Sequence, residues 1–366
     1  MSRAKTGEDV PIRISSKKMD HILRDPEKTA RAVNLVHVSD DQPGIVREKR
    51  GKTFRYFLEE KEVKDKEVLA RIKQLVIPPA WEEVWICTRE NGHLQATGID
   101  ARRRKQYLYH PSWVALRNQT KYYRLVRFAH ALTKIRLNVE KDLARHGLPK
   151  EKILAAMVSL MERTNMRVGN SSYEKMYGSF GLATLRDKHI NIKGNTLRFS
   201  FKGKKGVHQE ISLRNARLAR IVQRCKEIPG KELFQYYDEE GNRHSIDSGM
   251  VNDYIKEISG EDFTSKDFRT WGGTVNAFLA LRELGWDETS AGQKKKVVEA
   301  LDQVAAYLGN TRAVCKKYYV HPLVISLYEK GSLQAYFDRL EKMTGNDAPS
   351  GLTNEEKAVL SILEKG

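Results

Sequence analysis

The hydrophobic positions in the first third of the chain come in short runs that alternate with polar residues. Alternation with a period of two is typical of strands that bury one face. Turn signals at Asp40–Gly44 and Asn91-Gly92 separate these runs and favour hairpins. One longer segment, Lys64–Val76, has helical spacing and stops at Pro78-Pro79. The predicted strands are Leu35–Val38, Thr53–Phe57, Glu83–Cys87 and Leu94–Thr97.

The pattern changes after His110-Pro111, where apolar residues recur at helical spacing. One interruption returns to a period of two and predicts three short strands, Asp187–Ile192, Thr196–Lys202 and His208–Leu213. Thr353 and Glu356 have the spacing of a capping box, which predicts a last short helix. The predicted helices are Lys121–Arg145, Lys150–Met166, a segment resuming at Arg214, Ser248–Ile258, Thr270–Leu284, Gly292–Leu308 and Ala313–Lys330.

These patterns predict an α+β protein with two folded regions. The chain has 366 residues, and a single domain usually has roughly 100–200. We expect a small α+β domain with an antiparallel sheet at residues 1–115 and a larger, mainly helical domain with a small three-stranded sheet at residues 116–345. Residues 346–366 are predicted to form a linker and the short terminal helix.

The balance of charge indicates a polyanionic partner. The chain has 65 Lys and Arg against 47 Asp and Glu, a formal net charge of +18 and a pI near 9.6. Between Arg102 and Arg136 there are ten basic residues and no acidic one. Because solvated faces normally mix both signs, this segment favours a nucleic-acid surface. The aromatic residues within it are Tyr107, Tyr109, Trp113, Tyr122, Tyr123 and Phe128.

Neither a secreted nor a membrane protein is indicated. No apolar run approaches the ~20 residues of a membrane-spanning helix, and the start of the chain has no signal-peptide pattern. Cys87, Cys225 and Cys315 are odd in number and far apart, without metal-ligand spacing. We therefore expect a cytoplasmic protein whose cysteines are buried and form neither a disulfide nor a zinc site.

Common phosphate-binding and hydrolase signatures are missing from the sequence. Gly44 and Gly51-Lys52 are separated by six residues, where a phosphate-binding loop requires four. The sequence has no H-E-x-x-H, no G-x-S-x-G and no carboxylate cluster suited to two-metal catalysis. Cleavage of a phosphodiester would then need guanidinium groups for the non-bridging oxygens, a proton donor for the leaving oxygen and a side-chain nucleophile.

Four motifs offer these groups. Met166–Asn170 is predicted to close a helix, and Phe201–Lys204 to end a strand at a turn. Asp267–Thr270 is predicted to open a helix. The fourth motif is Leu308–Thr311, followed by Lys316–Pro322.

In this order the motifs resemble the type IB DNA topoisomerases, especially the short poxvirus-like and bacterial members, from about Val76 to His321. The nine-residue step from Asn310 to Tyr319 matches the family spacing. By this resemblance the catalytic residues are Arg167, Lys204, Arg269, Asn310 and Tyr319. The residues that the resemblance places on DNA are Lys105, Gln106, Tyr107, Tyr109 and Tyr173.

The resemblance also implies a reaction. Tyr319 would attack a DNA phosphodiester and form a 3′-phosphotyrosyl link, while Arg167 and Arg269 hold the developing charge. Asn310 would donate a hydrogen bond, and Lys204 would protonate the leaving 5′-oxygen. Supercoils of both signs would relax without ATP, metal or cofactor. The expected partner is double-stranded DNA in the nucleoid, bound by a monomer that has no obligatory protein partner.

One position departs from part of the family. Asn310 stands where viral and eukaryotic members carry His and bacterial members carry Asn, so it indicates a bacterial-type enzyme. An Asn amide donates a hydrogen bond but supplies no charge, so we expect a slower chemical step than in relatives that carry His.

Two other classes of protein stay open on the sequence alone. A tyrosine recombinase shares much of the catalytic plan, but Arg269 has no His three residues upstream. A non-catalytic basic DNA-binding protein would have the same charge. The adjacent Tyr318 is the alternative nucleophile, since only family spacing selects Tyr319.

Overall fold

The structure, a computed structural model, describes residues 25–51, 53–101, 103, 105–343 and 350–365. Lys52, Arg102 and the predicted linker at 346–349 lie outside the described residues, as do the side chains of Tyr122 and Tyr173. The chain separates into two compact units with the boundary between Arg124 and Leu125. The finer domain assignment at 1–115, 116–345 and 346–366 stays a prediction.

The described part of the N-terminal unit is built on a six-stranded antiparallel sheet with the order β3-β2-β1-β4-β5-β6. Its strands are β1 (Ile45–Arg50), β2 (Thr53–Leu58), β3 (Lys61–Glu62), β4 (Glu82–Ile86), β5 (Leu94–Ile99) and β6 (Lys105–Tyr109). Two helices accompany it, α1 (Pro26–Arg31) and α2 (Lys66–Gln74).

Helix α2 packs its apolar stripe against this sheet. The Asp65 side chain caps the helix by accepting hydrogen bonds from the N–H groups of Glu67 and Val68. Ile72 on the helix joins a buried cluster on the sheet. The buried members of this cluster are Ile45, Ile72, Val84, Ile86 and Ala96.

One prediction about this sheet was wrong, and strand β1 was missed. Leu35–Val38 is not a strand, because it pairs only through the single bridge between Val36 and Gly92. Strand β1 was not predicted, because four of its six residues are charged. One of them, Arg47, is nevertheless buried, and its guanidinium donates to the carbonyls of Pro78 and Trp81 at 3.0 and 2.7 Å.

The C-terminal unit is mainly helical, and the long helix α3 (Pro111–Leu143) enters it. Its other helices are α4 (Lys150–Thr164), α5 (Ser171–Tyr177), α6 (Ala216–Lys226), α7 (Ser248–Ser259), α8 (Ser265–Leu284), α9 (Ser290–Leu308), α10 (Arg312–Tyr318), α11 (Pro322–Glu329), α12 (Gln334–Glu341) and α13 (Asn354–Lys365). The three-stranded antiparallel sheet consists of β7 (Ile190–Lys193), β8 (Thr196–Lys202) and β9 (His208–Arg214). A small hairpin pairs β10 (Gln235–Tyr237) with β11 (Arg243–Ser245).

Helix α4 lies at the centre of this unit. Every residue from Ile153 to Met161 is buried, so the helix is enclosed by the elements around it. Helices α6, α7 and α8 and strand β9 contact it. The resulting core is continuous and includes Cys225 and Cys315, which are buried free thiols like Cys87, as predicted.

Several helix boundaries differ from the predictions by a few residues, including the start of α8 at Ser265 and not at Thr270. Three differences have a clear cause. Helix α3 begins at Pro111 and not at Lys121, with proline in the first turn, where its missing N–H is not needed. Helix α4 ends at Thr164, because Asn165 adopts the left-handed conformation at φ 52°. The single helix predicted over Ala313–Lys330 is two helices, since Pro322 begins α11 behind the cap residue His321.

Other predictions were confirmed. The α+β fold, the N-terminal antiparallel sheet and the small three-stranded sheet are all present. Thr353 and Glu356 form the capping box of α13, with Thr353 N donating to Glu356 Oε2 at 2.9 Å and Glu356 N donating to Thr353 Oγ1 at 3.2 Å. Within the described residues, no helix is both long enough and apolar enough to cross a membrane.

Candidate active site

Arg269 is held in the core by the first turns of helix α8. Its side chain is buried and donates from Nη1 to the carbonyl of Asn165 and from Nη2 to the carbonyl of Leu308, the latter at 2.8 Å. The nearby Asp267 carboxylate accepts hydrogen bonds from Thr264 in the helix cap. Arg269 is therefore a buried cation bound by carbonyl groups.

Arg167 reaches the same place from a different element. It lies in the extended segment between α4 and α5, and not in the last turn of a helix as predicted. Its Nη2 donates to the carbonyl of Gly309 at 3.2 Å and to the side-chain oxygen of Asn310. The Asn310 amide is thereby oriented with its NH₂ group away from this arginine.

The C-terminal end of helix α9 stabilises the two arginines. Leu308 is its last residue and Gly309 its cap, so both guanidinium groups bind carbonyls at the negative end of the helix dipole. Burial, reinforced by the neighbouring charge of Arg269, lowers the pKa of Arg167 to about 10. Burial also lowers the pKa of Arg269. At neutral pH both groups remain charged, and the cluster is strongly cationic.

Two side-chain donors in this cluster lack a hydrogen-bond acceptor among the residues that the structure describes. Arg269 Nε and Asn310 Nδ2 are buried without a hydrogen bond in the part of the chain that the structure describes. A buried donor left unpaired costs about 1–3 kcal/mol, and native proteins retain such groups only for a reason. A negatively charged oxygen placed here would satisfy both donors and offset the excess charge.

Tyr319 lies beside this cluster. It caps the end of α10, is half-buried, and its ring centroid is 5.2 Å from the Arg269 Cζ. Tyr318 is 41% exposed and has the Lys317 ammonium 5.4 Å from its ring centroid. Of the two adjacent tyrosines, the geometry therefore favours Tyr319 as the one that acts with the arginines.

The backbone of Tyr319 packs against helix α8. A Cβ atom on Gly273 would lie 2.7 Å from the Tyr319 carbonyl oxygen, so only glycine allows this approach. The Thr274 hydroxyl lies 3.3 Å from the same carbonyl and accepts a hydrogen bond from the N–H of His321 at 3.2 Å. Gly273 is one helical turn after Arg269, so a single helix face positions both candidate residues.

Lys204 stands at the tip of the β8–β9 hairpin. It begins a short turn, Lys204–Gly206, in which Lys205 and Gly206 have φ of 61° and 80°. The side chain is exposed and borders a narrow cleft that Arg167 and Arg269 also line. The structure thus brings all five predicted catalytic residues to one region of the C-terminal unit.

The predicted DNA contacts in the N-terminal unit lie on strand β6. Lys105 forms a 2.6 Å ion pair with Asp40, and Gln106 donates to Asp100 at 2.9 Å. The Lys105–Asp40 hydrogen bond raises the pKa of Lys105. Tyr107 is half-exposed and stacks on the ring of Tyr109 at 6.1 Å between centroids. Both rings share one face of the strand, as the alternation predicts.

The remaining aromatic and DNA-contact predictions have mixed outcomes. Trp113 and Phe128 are buried, so they belong to the core and not to a stacking surface. Tyr173 lies in helix α5, and its side chain falls outside what the structure describes.

Several residues that shape the site were not found from the sequence. They are Asn165, Gln209, Gly273 and Thr274. One signal was available, because the Gly272-Gly273 pair interrupts a helical pattern in which alanine would be more favourable. A glycine pair inside a helix indicates close packing by another segment of the chain.

Comparison with known proteins agrees with this geometry. Residues 110–344 match the family described as eukaryotic DNA topoisomerase I, catalytic core, and residues 53–100 match the bacterial DNA topoisomerase IB N-terminal domain. The chain is 34% identical over 295 residues to DNA topoisomerase 1B of Acanthamoeba polyphaga mimivirus, covering 78% of this chain and 88% of the viral protein. It is 22% identical over 290 residues to DNA topoisomerase 1B of Vaccinia virus (strain Copenhagen), covering 78% and 85%.

These matches define the class of protein as a DNA topoisomerase. The chain belongs to the type IB family of these enzymes, and its N-terminal region is of the bacterial type. Of the three classes that the sequence left open, the matches support the topoisomerase over a tyrosine recombinase and a non-catalytic DNA-binding protein. The resemblance inferred from the ordered motifs is confirmed.

Proposed function

We propose that this enzyme relaxes positive and negative supercoils by cutting one DNA strand through a 3′-phosphotyrosyl intermediate and then rejoining it. The observation that carries the proposal is the pair of buried, unpartnered donors, Arg269 Nε and Asn310 Nδ2, beside Arg167 and Tyr319. A scissile phosphate placed between them would accept both hydrogen bonds. It would also bring negative charge to a cluster that carries none.

In the forward step, the Tyr319 oxygen attacks phosphorus and its phenolic proton leaves to solvent. The new P–O bond to Tyr319 forms as the bond to the 5′-oxygen breaks, and Lys204 supplies the proton that this oxygen needs to leave. Arg167, Arg269 and Asn310 hold the non-bridging oxygens, where charge concentrates in the transition state. The two guanidinium groups supply the positive charge that a metal ion would otherwise provide.

Resealing follows the same path in reverse. One phosphodiester replaces another of similar energy, so rejoining needs no ATP. While the link to Tyr319 persists, the cut strand can rotate about the intact one and release torsion of either sign. The 5′-hydroxyl then attacks phosphorus, Lys204 takes back its proton, and Tyr319 leaves.

DNA contacts beyond the scissile phosphate are proposed for strand β6 and helix α5. Tyr107 and Tyr109 offer stacked rings on one strand face, and Lys105 and Gln106 offer donors. Because those donors are paired with Asp40 and Asp100, DNA phosphates would have to replace the carboxylates as acceptors. Tyr173 is proposed as a further phosphate contact from α5. We also propose that the enzyme acts as a monomer on nucleoid DNA, without a protein partner.

The test is relaxation of negatively and positively supercoiled plasmid with EDTA and without ATP, with parallel samples quenched in detergent. Wild type is expected to relax both plasmids and to leave a protein linked to a DNA 3′ end. Tyr319→Phe is expected to lose relaxation and adduct while it keeps DNA affinity, and Tyr318→Phe is the matched control that keeps both. Relaxation that survives in Tyr319→Phe but not in Tyr318→Phe would contradict the assignment of the nucleophile.

A further inference from the structure

Gln209 on strand β9 is a polar side chain that the mechanism above does not use. It lies opposite Phe201 of strand β8, one pair away from the last pair before the turn of the hairpin. Its neighbours His208 and Glu210 point to solvent, with side chains 60% and 78% exposed, whereas Gln209 is half-buried. Alternation along the strand therefore turns Gln209 toward the catalytic cleft, which it lines.

Two glycines make room for this side chain. A Cβ atom on Gly309 would lie 2.6 and 2.7 Å from the amide oxygen and nitrogen of Gln209, so the amide rests directly on the Gly309 backbone. A Cβ atom on Gly203 would lie 3.0 Å from the Gln209 Cγ, so the stem of the side chain rests on Gly203. Gln209 thus fills the space between two backbone segments that are far apart in sequence.

Each of those glycines precedes a proposed catalytic residue. Gly203 comes before Lys204, and Gly309 comes before Asn310. The Gly309 carbonyl also accepts the hydrogen bond from Arg167. One side chain therefore joins the hairpin that carries the proton donor to the turn that organises the phosphate-binding groups.

We propose that Gln209 is a positioning residue that sets the distance between Lys204 and the scissile phosphate. This inference rests on the function proposed above. Lys204 is an exposed side chain on the hairpin turn, so its position relative to the phosphate depends on where the turn lies. A displacement of about 1 Å can reduce catalysis by about 10²-fold. Without Gln209, the hairpin tip would keep its turn but lose its contact with the Gly309 turn.

The leaving group distinguishes positioning of the proton donor from a general structural role. An oxygen leaving group must be protonated as it departs, because an unprotonated alkoxide is strongly basic and leaves poorly. A sulfur leaving group has a thiol pKa of about 8.5 and departs as a thiolate without a proton. A duplex carrying sulfur in place of the bridging 5′-oxygen therefore reports on every part of the site except Lys204.

The experiment measures single-turnover cleavage of two duplexes that differ only at that bridging atom, after the cleaved phosphate has been mapped with wild type. Gln209→Ala is expected to slow cleavage of the oxygen duplex by roughly 10- to 100-fold and to leave cleavage of the sulfur duplex within about threefold of wild type. Glu210→Ala, the outward neighbour, is the matched control and should change neither rate. Gln209→Asn shortens the side chain by one methylene and should show the same pattern more weakly. This variant replaces Gln209→Ala in the test if the alanine variant does not fold.

Equal slowing of both duplexes would overturn the inference, because the residue would then support the whole site. Unchanged cleavage of the oxygen duplex would overturn it as well. Failure of the proposed function looks different, since wild type would then form no Tyr319 adduct on either duplex.

Discussion

Two charged clusters with partly or fully buried arginine side chains occur in the helical unit, and they are built in opposite ways. Arg136 on α3 donates to Glu162 at 2.7 Å and to both carboxylate oxygens of Glu356 at 2.9 and 2.8 Å. These carboxylates outweigh the effect of burial and raise the pKa of Arg136. Arg167 and Arg269 are bound by backbone carbonyls and the Asn310 amide oxygen, and burial lowers the pKa of each.

The difference separates a structural cluster from one that is prepared for a ligand. In the first, each charge has a partner of opposite sign, so the cluster is complete without a ligand. In the second, two like charges share a site with the unpaired donors Arg269 Nε and Asn310 Nδ2. Such a site is incomplete until an anion binds, and that is the property a phosphate-transferring enzyme requires.

Helix α8 connects the two clusters. The Trp271 Nε1 donates to Glu356 at 2.9 Å, while Arg269, two residues earlier, contacts the other cluster. Residues two apart on a helix point to nearly opposite sides. Glu356 belongs to α13, so the C-terminal helix, whose role the sequence left open, is anchored to the helix that carries Arg269.

The largest effect is expected from Arg269→Met, which removes one charge from the incomplete cluster. Single-turnover cleavage should fall by about 10³-fold, because a donor to the transition-state phosphate is lost. The free energy of unfolding should change by less than about 1.5 kcal/mol, since relief from repulsion by Arg167 offsets two lost hydrogen bonds. Quench-flow cleavage and urea unfolding measure the two quantities. Cleavage within tenfold of wild type would show that Arg269 does not touch the phosphate.

The same substitution in the complete cluster, Arg136→Met, is expected to act on stability. It leaves Glu162 and Glu356 without their cation, and breaking a buried ion pair in this way typically costs about 3–5 kcal/mol. Cleavage measured below the lowered melting temperature should stay within about fivefold of wild type. Urea unfolding gives a double-mutant cycle from Arg136→Met, Glu356→Gln and the double variant. The double variant should lose less free energy of unfolding than the two single variants lose together. Additive losses would mean that the pair is not coupled.

The sequence predicts the incomplete cluster better than the complete one. Arg167, Arg269 and Tyr319 were identified because the order and spacing of their motifs resemble a family. Arg136 and Glu356 are 220 residues apart and have no motif, and any of many acidic residues could have been the partner. Pairing across such a separation is decided by packing of whole helices, which local patterns do not encode.

Periodicity predicted elements well and their ends poorly. The helix over Ala313–Lys330 was predicted as one because its apolar spacing continues through Tyr319. Its division depends on His321 and Pro322, which form a cap and a first turn, and this signal was present in the sequence. The end of α4 gives a weaker signal, because asparagine adopts the left-handed conformation less readily than glycine and tertiary contacts stabilise it at Asn165.

Asn310→Asp would make the incomplete cluster around Arg167 and Arg269 resemble the complete cluster around Arg136. The substitution keeps an oxygen next to Arg167 and replaces the unpaired NH₂ group by a second carboxylate oxygen. We expect the free energy of unfolding to rise by about 1–2 kcal/mol, because a charge now compensates the arginines. Cleavage should fall by about 10²-fold, because the carboxylate repels the phosphate and no longer donates. Asn310→Ala is the matched control, which should slow cleavage without stabilising the fold; an Asp variant no more stable than Ala would contradict the comparison.

The smallest effect is expected from Gly273→Ala, which tests how closely Tyr319 packs against helix α8. Alanine normally stabilises a helix interior relative to glycine by about 1 kcal/mol, but here the new Cβ would meet the Tyr319 carbonyl at 2.7 Å. The overpacking should cost about 1–3 kcal/mol, for a net destabilisation of about 1 kcal/mol, and should shift Tyr319 enough to slow cleavage about tenfold. Gly249→Ala in α7 is the control, because its Cβ would meet no backbone atom within 4 Å and nothing nearer than the Asp247 carboxylate at 3.1 Å. If Gly273→Ala were more stable than wild type and cleaved normally, the close approach of Tyr319 to α8 would not exist in solution, and the geometry that selects Tyr319 over Tyr318 would lose its support.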